Sequence, residues 1–374
     1  MPVSNLVSAG AWLLGRLLPV KKNKVVISHF YGRGFGDSPG AIAKALLEAD
    51  STLDIRWLLT SPDQVLPDGI RPVSYRPLSR IIELSTARVW IDDCRKGARF
   101  KKKNQIYLQT WHGFALKRIE ADAVGALDPD YEAYARRDAS QTDVMISGSR
   151  FMTDLYHSSF WYDGPVEEFG SPRNDMLFQS AAPLRQKVCK ALGIPPEKKL
   201  VLYAPTFRVD GSLTPYSLDI PAVLEACNRR FGGDHVLLLR LHPNIERKAD
   251  FLPCDGKTVF QATHYPDMQE LLSAADVVIS DYSSLMFDFA LTGRPVFQFA
   301  TDIDAYRQDR SFNFPLDQLP FSLAEDNEAL QRVIAAYDPA KAAAQWARFS
   351  QEHGIHEDGH AAQRCAQWIL ARIK

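Results

Sequence analysis

The amino-acid sequence predicts an α/β protein of two Rossmann-like domains that face each other across a cleft. Three observations carry that prediction. The chain has 374 residues, too many for one average core, and 46% of them are apolar, enough to fill two. Short β-branched runs alternate with helical stretches in two successive series, the signature of parallel sheets covered on both faces. A charged, proline-containing stretch over 176–195 divides the two series.

The stretch 6–20 is mostly apolar, contains Trp12, is interrupted by Arg16 and is followed by Lys21, Lys22 and Lys24. It is too short to span a bilayer and lacks the basic start and small-residue cleavage site of a signal peptide. A helix lying on anionic lipid is the expectation, only slightly ahead of one packed on the first domain. A first strand over 24–28 then runs into HFYGRGFGDSPG before a helix at 41–48. Its glycines, Gly32, Gly34 and Gly36, do not fit the GxGxxG dinucleotide spacing, so a flexible loop at a cleft edge is expected. Further strands fall at 55–60, 89–92, 106–109 and 144–147, with helices at 78–86 and 151–157. The second series has strands at 200–203, 235–241, 258–261, 277–280 and 296–299, and helices at 222–229 and 267–274. The stretch 340–374 reads as helical and as crossing back onto the first domain. The expected divisions are a membrane-proximal segment (1–22), a first domain (23–178), a second (179–345) and the returning helix (346–374).

Lys and Arg total 44 against 45 for Asp and Glu, so no global basic field argues for nucleic acid and any anion site is local. The five cysteines, Cys94, Cys189, Cys227, Cys254 and Cys365, are scattered and never form CxxC, which points to a reducing, cytoplasmic setting without disulfides or structural zinc. The most organised stretch is DVVISDYSSLMFDFALTGRPVFQ at 276–298: strand, sharp turn, helix, next strand. Asp281, Ser283 and Ser284 stand at the helix start, where unpaired N–H groups and the dipole favour phosphate. Asp288, one turn on from Ser284, suits a ribose hydroxyl. An ordinary capped helix explains the stretch equally well when it is taken alone.

Ligands of open α/β sheets bind at the carboxyl ends of strands. There the first series presents Thr110-Trp111-His112-Gly113, a histidine able to take a hydroxyl proton beside a glycine that admits a ligand closely. The second presents Thr206 and Arg208 after one strand, and Arg240, His242 and Asn244 after another. Paired arginine donors suit a diphosphate. Singly, a lone histidine is more often structural and an arginine more often a surface ion pair. Their shared location favours function. His356, Glu357 and His360 spell HExxH, but Asp358 and Gly359 between them break the helix a zinc site needs, so a chance match is expected. Asp302 and Asp304 form a DxD expected to be a solvated loop.

In order along the chain, DSP at 37–39, TWHG at 110–113 with Lys117 after it, and GSPRND at 170–175 are followed by YAPTFR at 203–208 and RLHPN at 240–244. SDYSSLMFDF at 280–289, GRPVFQF, DIDAY and the DG at 358–359 complete the set. With these motifs the chain resembles the CDP-glycerol glycerophosphotransferase family of teichoic acid primases and polymerases. Ser38 stands where that family usually has asparagine. The resemblance implies GT-B architecture and transfer of an alditol phosphate from CDP-glycerol, or another CDP-alditol, to a hydroxyl of a lipid-linked or polymeric glycan, releasing CMP. It implies His112 as general base and His242 at the departing CMP. Arg208, Arg240, Thr206, Ser283 and Ser284 would surround the donor phosphates, with Asp281 and Asp288 as cap and ribose contact. Asp37 and Gly113 would lie on the acceptor side. Basic residues at 96–103 and the N-terminal segment would hold an anionic acceptor at the inner face of the cell membrane, unless 96–103 is merely a solvated charged loop. No metal or other cofactor is implied, and a magnesium requirement has no signature here. The alternative is a GT-B glycosyltransferase or epimerase acting on a UDP-sugar.

Overall fold

The computed structural model describes residues 10–61, 64–123, 127–208, 212, 216–241, 254–309 and 311–373. The chain forms two units. The first comprises residues 1–113, 119–175 and 354–374, and the second residues 114–118 and 176–353.

The first unit is built on a seven-stranded sheet: β1 (Lys21–Ile27), β2 (Asp54–Leu59), β3 (Ile70–Ser74), β4 (Ala87–Asp92), β5 (Ile106–Gln109), β6 (Val144–Ile146) and β7 (Val166–Glu167). The order is β3-β2-β1-β4-β5-β6-β7 and every pairing is parallel. Residues alternate between two cores. Val25, Ile27, Val89, Ile91, Ile106 and Leu108 join one cluster, while Val26, Trp90 and Tyr107 join the other. Burial on both faces is why these strands read as continuous apolar runs.

One face is covered by α2 (Asp37–Ala49) and α13 (Ala361–Ile373), the latter through a stripe of Ala362, Cys365, Ala366 and Ile369 at helical spacing. The C-terminal helix thus returns to the first unit. The stretch 340–374 is two helices rather than one: α12 (Pro339–His353) belongs to the second unit, and the chain breaks at Gly354, whose φ is +60°. The other face is covered by α3 (Pro77–Thr86) and by a short helix α1 over 10–15, whose Trp12 is 2% exposed and meets Phe100 edge-on at 5.2 Å. Leu13, Leu14 and Leu17 remain 64%, 66% and 81% exposed. The DSP motif, expected in a loop, is instead the first turn of α2, where Pro39 loses no helix bond because first-turn N–H groups have no intrahelical acceptor.

The second unit holds β8 (Lys199–Tyr203), β9 (His235–Leu239), β10 (Val259–Gln261), β11 (Val277–Ser280), β12 (Val296–Phe299) and β13 (Ser322–Ala324). Their order is β10-β9-β8-β11-β12-β13, again parallel throughout. α7 (Ile220–Phe231) and α11 (Asn327–Ala335) close one face over Val201, Leu237, Ile279 and Phe297.

Candidate active site

Both sheets have a topological switch point, a place where successive strands leave in opposite directions and open a crevice at the strands' carboxyl ends. In the first unit it lies between β1 and β4, and in the second between β8 and β11.

At the first switch point three strand exits converge: His29 after β1, Asp93 after β4 and His112 after β5. His112 Nδ1 is 2.7 Å from the Asp93 carbonyl, an acceptor only, so Nδ1 carries a proton and Nε2 is the nitrogen turned to a ligand. Nε2 has no partner among the described residues. The turn beneath is fixed by Gln109, whose side-chain oxygen accepts Trp111 N–H at 2.9 Å, and by Thr110 N–H donating to the Asp92 carbonyl at 3.0 Å. Trp111 holds φ +52°, a strained value for a side chain of its size, and stacks on the His112 ring at 4.2 Å. Gly113, at φ +144°, continues a path closed to residues with a Cβ. Arg173, from the GSPRND motif, donates to the His112 carbonyl at 2.6 Å and pairs with Asp37 at 3.2 Å. Burial opposes the Asp37 charge, but Arg173 and His29 outweigh it and hold its carboxyl below the usual range.

Around this centre the structure corrects one expectation. Lys96, expected in a basic acceptor-binding or solvated loop, is 1% exposed and paired with Asp92 at 2.6 Å. The HExxH residues build no zinc site: Glu357 accepts the Ser171 N–H at 2.8 Å, His356 faces the Glu168 carbonyl at 3.1 Å, and Asp358 binds Arg364. His29, Asp93 and the position of Arg173 stand out only in the structure. The one available signal was the Asp92-Asp93 pair at a strand exit.

At the second switch point Asp281 Oδ1 accepts three bonds, from Thr206 N–H and Thr206 Oγ1 at 2.8 Å and from Tyr282 N–H at 2.7 Å. It therefore ties the two strand exits together instead of capping the helix. Arg208, expected on phosphate, is gripped by Asp302 at 2.6 and 2.9 Å and by Asp281 at 2.9 Å, and its guanidinium lies 4.8 Å from the Tyr306 ring centre. Asp302 is accordingly an ion-pair partner, which corrects the solvated DxD. Arg240 donates to the carbonyls of Ala262, Thr263 and Tyr265 at 2.5–2.7 Å. Asp288 is buried and accepts Gln269 Nε2 at 3.3 Å. The helix after the turn, α9 (Leu285–Ala290), has six residues and no side-chain cap. Ser283 and Ser284 are half-buried, and among the described residues the Ser284 hydroxyl has no partner. His242 and Asn244 lie outside the described residues.

The family model for CDP-glycerol:poly(glycerophosphate) glycerophosphotransferase matches residues 12–371. A teichoic acid poly(glycerol phosphate) polymerase of Staphylococcus epidermidis is 31% identical over 376 residues, covering 95% of this chain and 51% of that protein. This chain thus spans about half the length of that relative. A teichoic acid glycerol-phosphate transferase of Staphylococcus aureus is 28% identical over 370 residues, covering 93% of each. The solved wall teichoic acid polymerase TagF has a TM-score of 0.85 at 29% identity, covering 99% of this chain and 95% of that one. A variant of it soaked with CDPG scores 0.84 at 28% identity, covering 99% and 95%.

Proposed function

Because the chain belongs to the CDP-glycerol:poly(glycerophosphate) glycerophosphotransferase family, we propose that it transfers glycerol phosphate from CDP-glycerol to a hydroxyl of a lipid-linked or polymeric glycan. CMP is the second product, and the polymer is of the teichoic acid or capsular kind. The observation that carries the reading is His112, whose Nδ1 is pinned on the Asp93 carbonyl and whose Nε2 has no partner among the described residues.

The acceptor hydroxyl gives its proton to His112 Nε2 as its oxygen bonds to the phosphorus that bears glycerol. The bond from that phosphorus to the bridging oxygen breaks, and its electron pair leaves on CMP. Charge on the phosphoryl oxygens is met by hydrogen-bond donors. On the second unit these are the Ser283 and Ser284 hydroxyls, with His242 at the departing CMP as the resemblance implies. Arg208 and Arg240 serve the donor by joining strand exits, Arg208 through Asp281 and Asp302 and Arg240 through the carbonyls of Ala262, Thr263 and Tyr265. Thr206 and Asp281 hold the crevice open to the nucleotide, and Asp288 faces the ribose. Exposed Leu13, Leu14 and Leu17, with Arg16, Lys21 and Lys22 nearby in sequence, suit an anionic lipid surface. On this reading the protein works at the inner face of the membrane, where its acceptor is anchored.

The test is CMP release from CDP-glycerol and CDP-ribitol, with UDP-sugars as controls and a membrane fraction as acceptor. Wild-type protein is expected to release CMP from CDP-glycerol, and His112→Ala to fold, bind donor and lose roughly 10²–10⁴-fold in rate. Turnover of a UDP-sugar with none of either CDP-alditol would overturn the reading.

A further inference from the structure

The cluster that fixes His112 contains a second imidazole with no part in the chemistry above. His29 leaves β1 and Asp93 leaves β4, so the pair straddles the first switch point. His29 Nδ1 is hydrogen bonded to the Asp93 carboxylate, whose other oxygen accepts the Phe30 N–H at 3.0 Å. The carbonyl of the same Asp93 holds His112. One residue therefore positions two imidazoles, one through its side chain and the other through its backbone. The Phe30 ring lies 5.4 Å from that of His112. Phe30, Tyr31, Asp37 and Trp111 all hold positive φ, at +40°, +59°, +53° and +52°. Such strain persists where surrounding structure enforces it, and it gathers at functional sites.

The charges here close in pairs. Asp92 is matched by Lys96 at 2.6 Å, Asp37 by Arg173 at 3.2 Å, and Asp93 by His29. Burial works against a charged His29, but the Asp93 hydrogen bond and the Asp93, Asp37 and Asp92 charges together raise its pKa above that of an ordinary histidine. Burial pushes the Asp93 carboxyl up as well. The Phe30 N–H bond to its second oxygen favours the carboxylate, and with it a charged His29. A neutral His29 would leave the cluster with a net negative charge beside the general base. A charged one leaves a single outward donor, Nε2–H, without a partner among the described residues. His29, Asp37 and Asp93 also bring three potential ligand atoms within 4.8 Å of one another, as a metal site would. Each is already engaged, and the Arg173 guanidinium beside Asp37 opposes a dication.

We propose that His29 is a substrate-binding residue, an imidazolium held by Asp93 whose Nε2–H donates to a phosphate oxygen next to the hydroxyl that His112 deprotonates. The inference rests on the transferase reading. The oxygen belongs either to a phosphodiester at the growing end of the acceptor or to the phosphoryl group in transit, and kinetics separate the two. The experiment compares wild type, His29→Gln and the charge-retaining His29→Arg on two synthetic lipid acceptors, one ending in glycerol phosphate and one lacking that phosphate. A roughly tenfold rise in KM for the phosphate-ended acceptor alone, with the KM of CDP-glycerol unchanged and recovery in His29→Arg, assigns the acceptor phosphate. A roughly tenfold fall in kcat with both acceptors, again recovered by arginine, assigns the transferred phosphoryl. Unchanged kinetics in His29→Gln, or a loss that arginine does not recover, overturns the proposal. So does activity lost to a chelator and restored by magnesium or manganese in wild type but not in His29→Gln, since that would make His29 a metal ligand. Should wild type release no CMP from CDP-glycerol, the transferase reading fails by itself. His29 is then judged by whether glycerol 3-phosphate shifts its imidazole nitrogen resonances, and no shift overturns it.

Discussion

Arg173 links the first-site residues most directly, because one guanidinium nitrogen holds both the His112 carbonyl and the Asp37 carboxylate. Arg173→Met leaves that carboxylate in place without its cation. We expect a loss of about 2–4 kcal/mol in urea unfolding, and a fall in kcat without a change in the KM of CDP-glycerol. Behind the site Asp138 is 1% exposed, and burial raises its carboxyl to about 6 against the pull of Arg95. Between the ordinary carboxylate pKa near 4 and that value, the folded protein binds the proton more tightly than the unfolded chain does. The Asp138 contribution to stability is therefore greatest below this window and declines as pH rises through it. Asn at this position keeps an acceptor for the Lys96 and Gly97 N–H groups, so the stability of wild type relative to Asp138→Asn should fall by roughly 2 kcal/mol from pH 4 to pH 6.5 in urea titrations. Strand-exit reasoning finds His112 and Thr206 because each sits in a run with a visible strand before it. It does not find His29 with Asp93, or Arg208 with Asp302, because the partners are 64 and 94 residues apart and carry no spacing motif.

At the scale of elements, the interior strands were legible, and of the edge strands only β10 was. The interior strands are wholly or mostly apolar runs, whereas β7 and β13 have two and three residues with polar positions among them, too few to show a period. β3 contains Pro72, which argues against a strand from sequence alone yet fits the sheet edge where β3 lies. Asp175 shows how a loop motif serves a distant helix. Its carboxylate oxygens accept the Ala361 and Ala362 N–H groups at 3.0 and 2.8 Å, at the start of α13. Asp175→Ala should cost about 1–2 kcal/mol in chemical denaturation followed by tryptophan fluorescence, with Trp368 reporting from α13 itself. Ile369→Ala, on the buried face of that helix, should cost about 2–5 kcal/mol.

At the scale of the molecule, two parallel sheets and the return of the C-terminal segment were readable from alternation and helical spacing. That the return begins only at Gly354 was not, since 340–353 has equally good helical composition. In the N-terminal segment Trp12 is buried on the first unit, while Leu13 and Leu17 are the proposed lipid contacts. Trp12→Ala should destabilise the first unit by about 3–5 kcal/mol. Leu13→Glu with Leu17→Glu should leave stability within about 0.5 kcal/mol while abolishing cosedimentation with anionic vesicles. The first unit draws its last helix from beyond residues 176–353, which belong to the second unit. On a ribosome adding roughly 5–20 residues per second, α13 therefore emerges on the order of ten seconds after β7. Throughout that interval Ile42 and Leu46 of α2 have no covering helix, so the second unit can finish folding first, and a nascent chain halted before residue 361 exposes a surface that chaperones and proteases recognise.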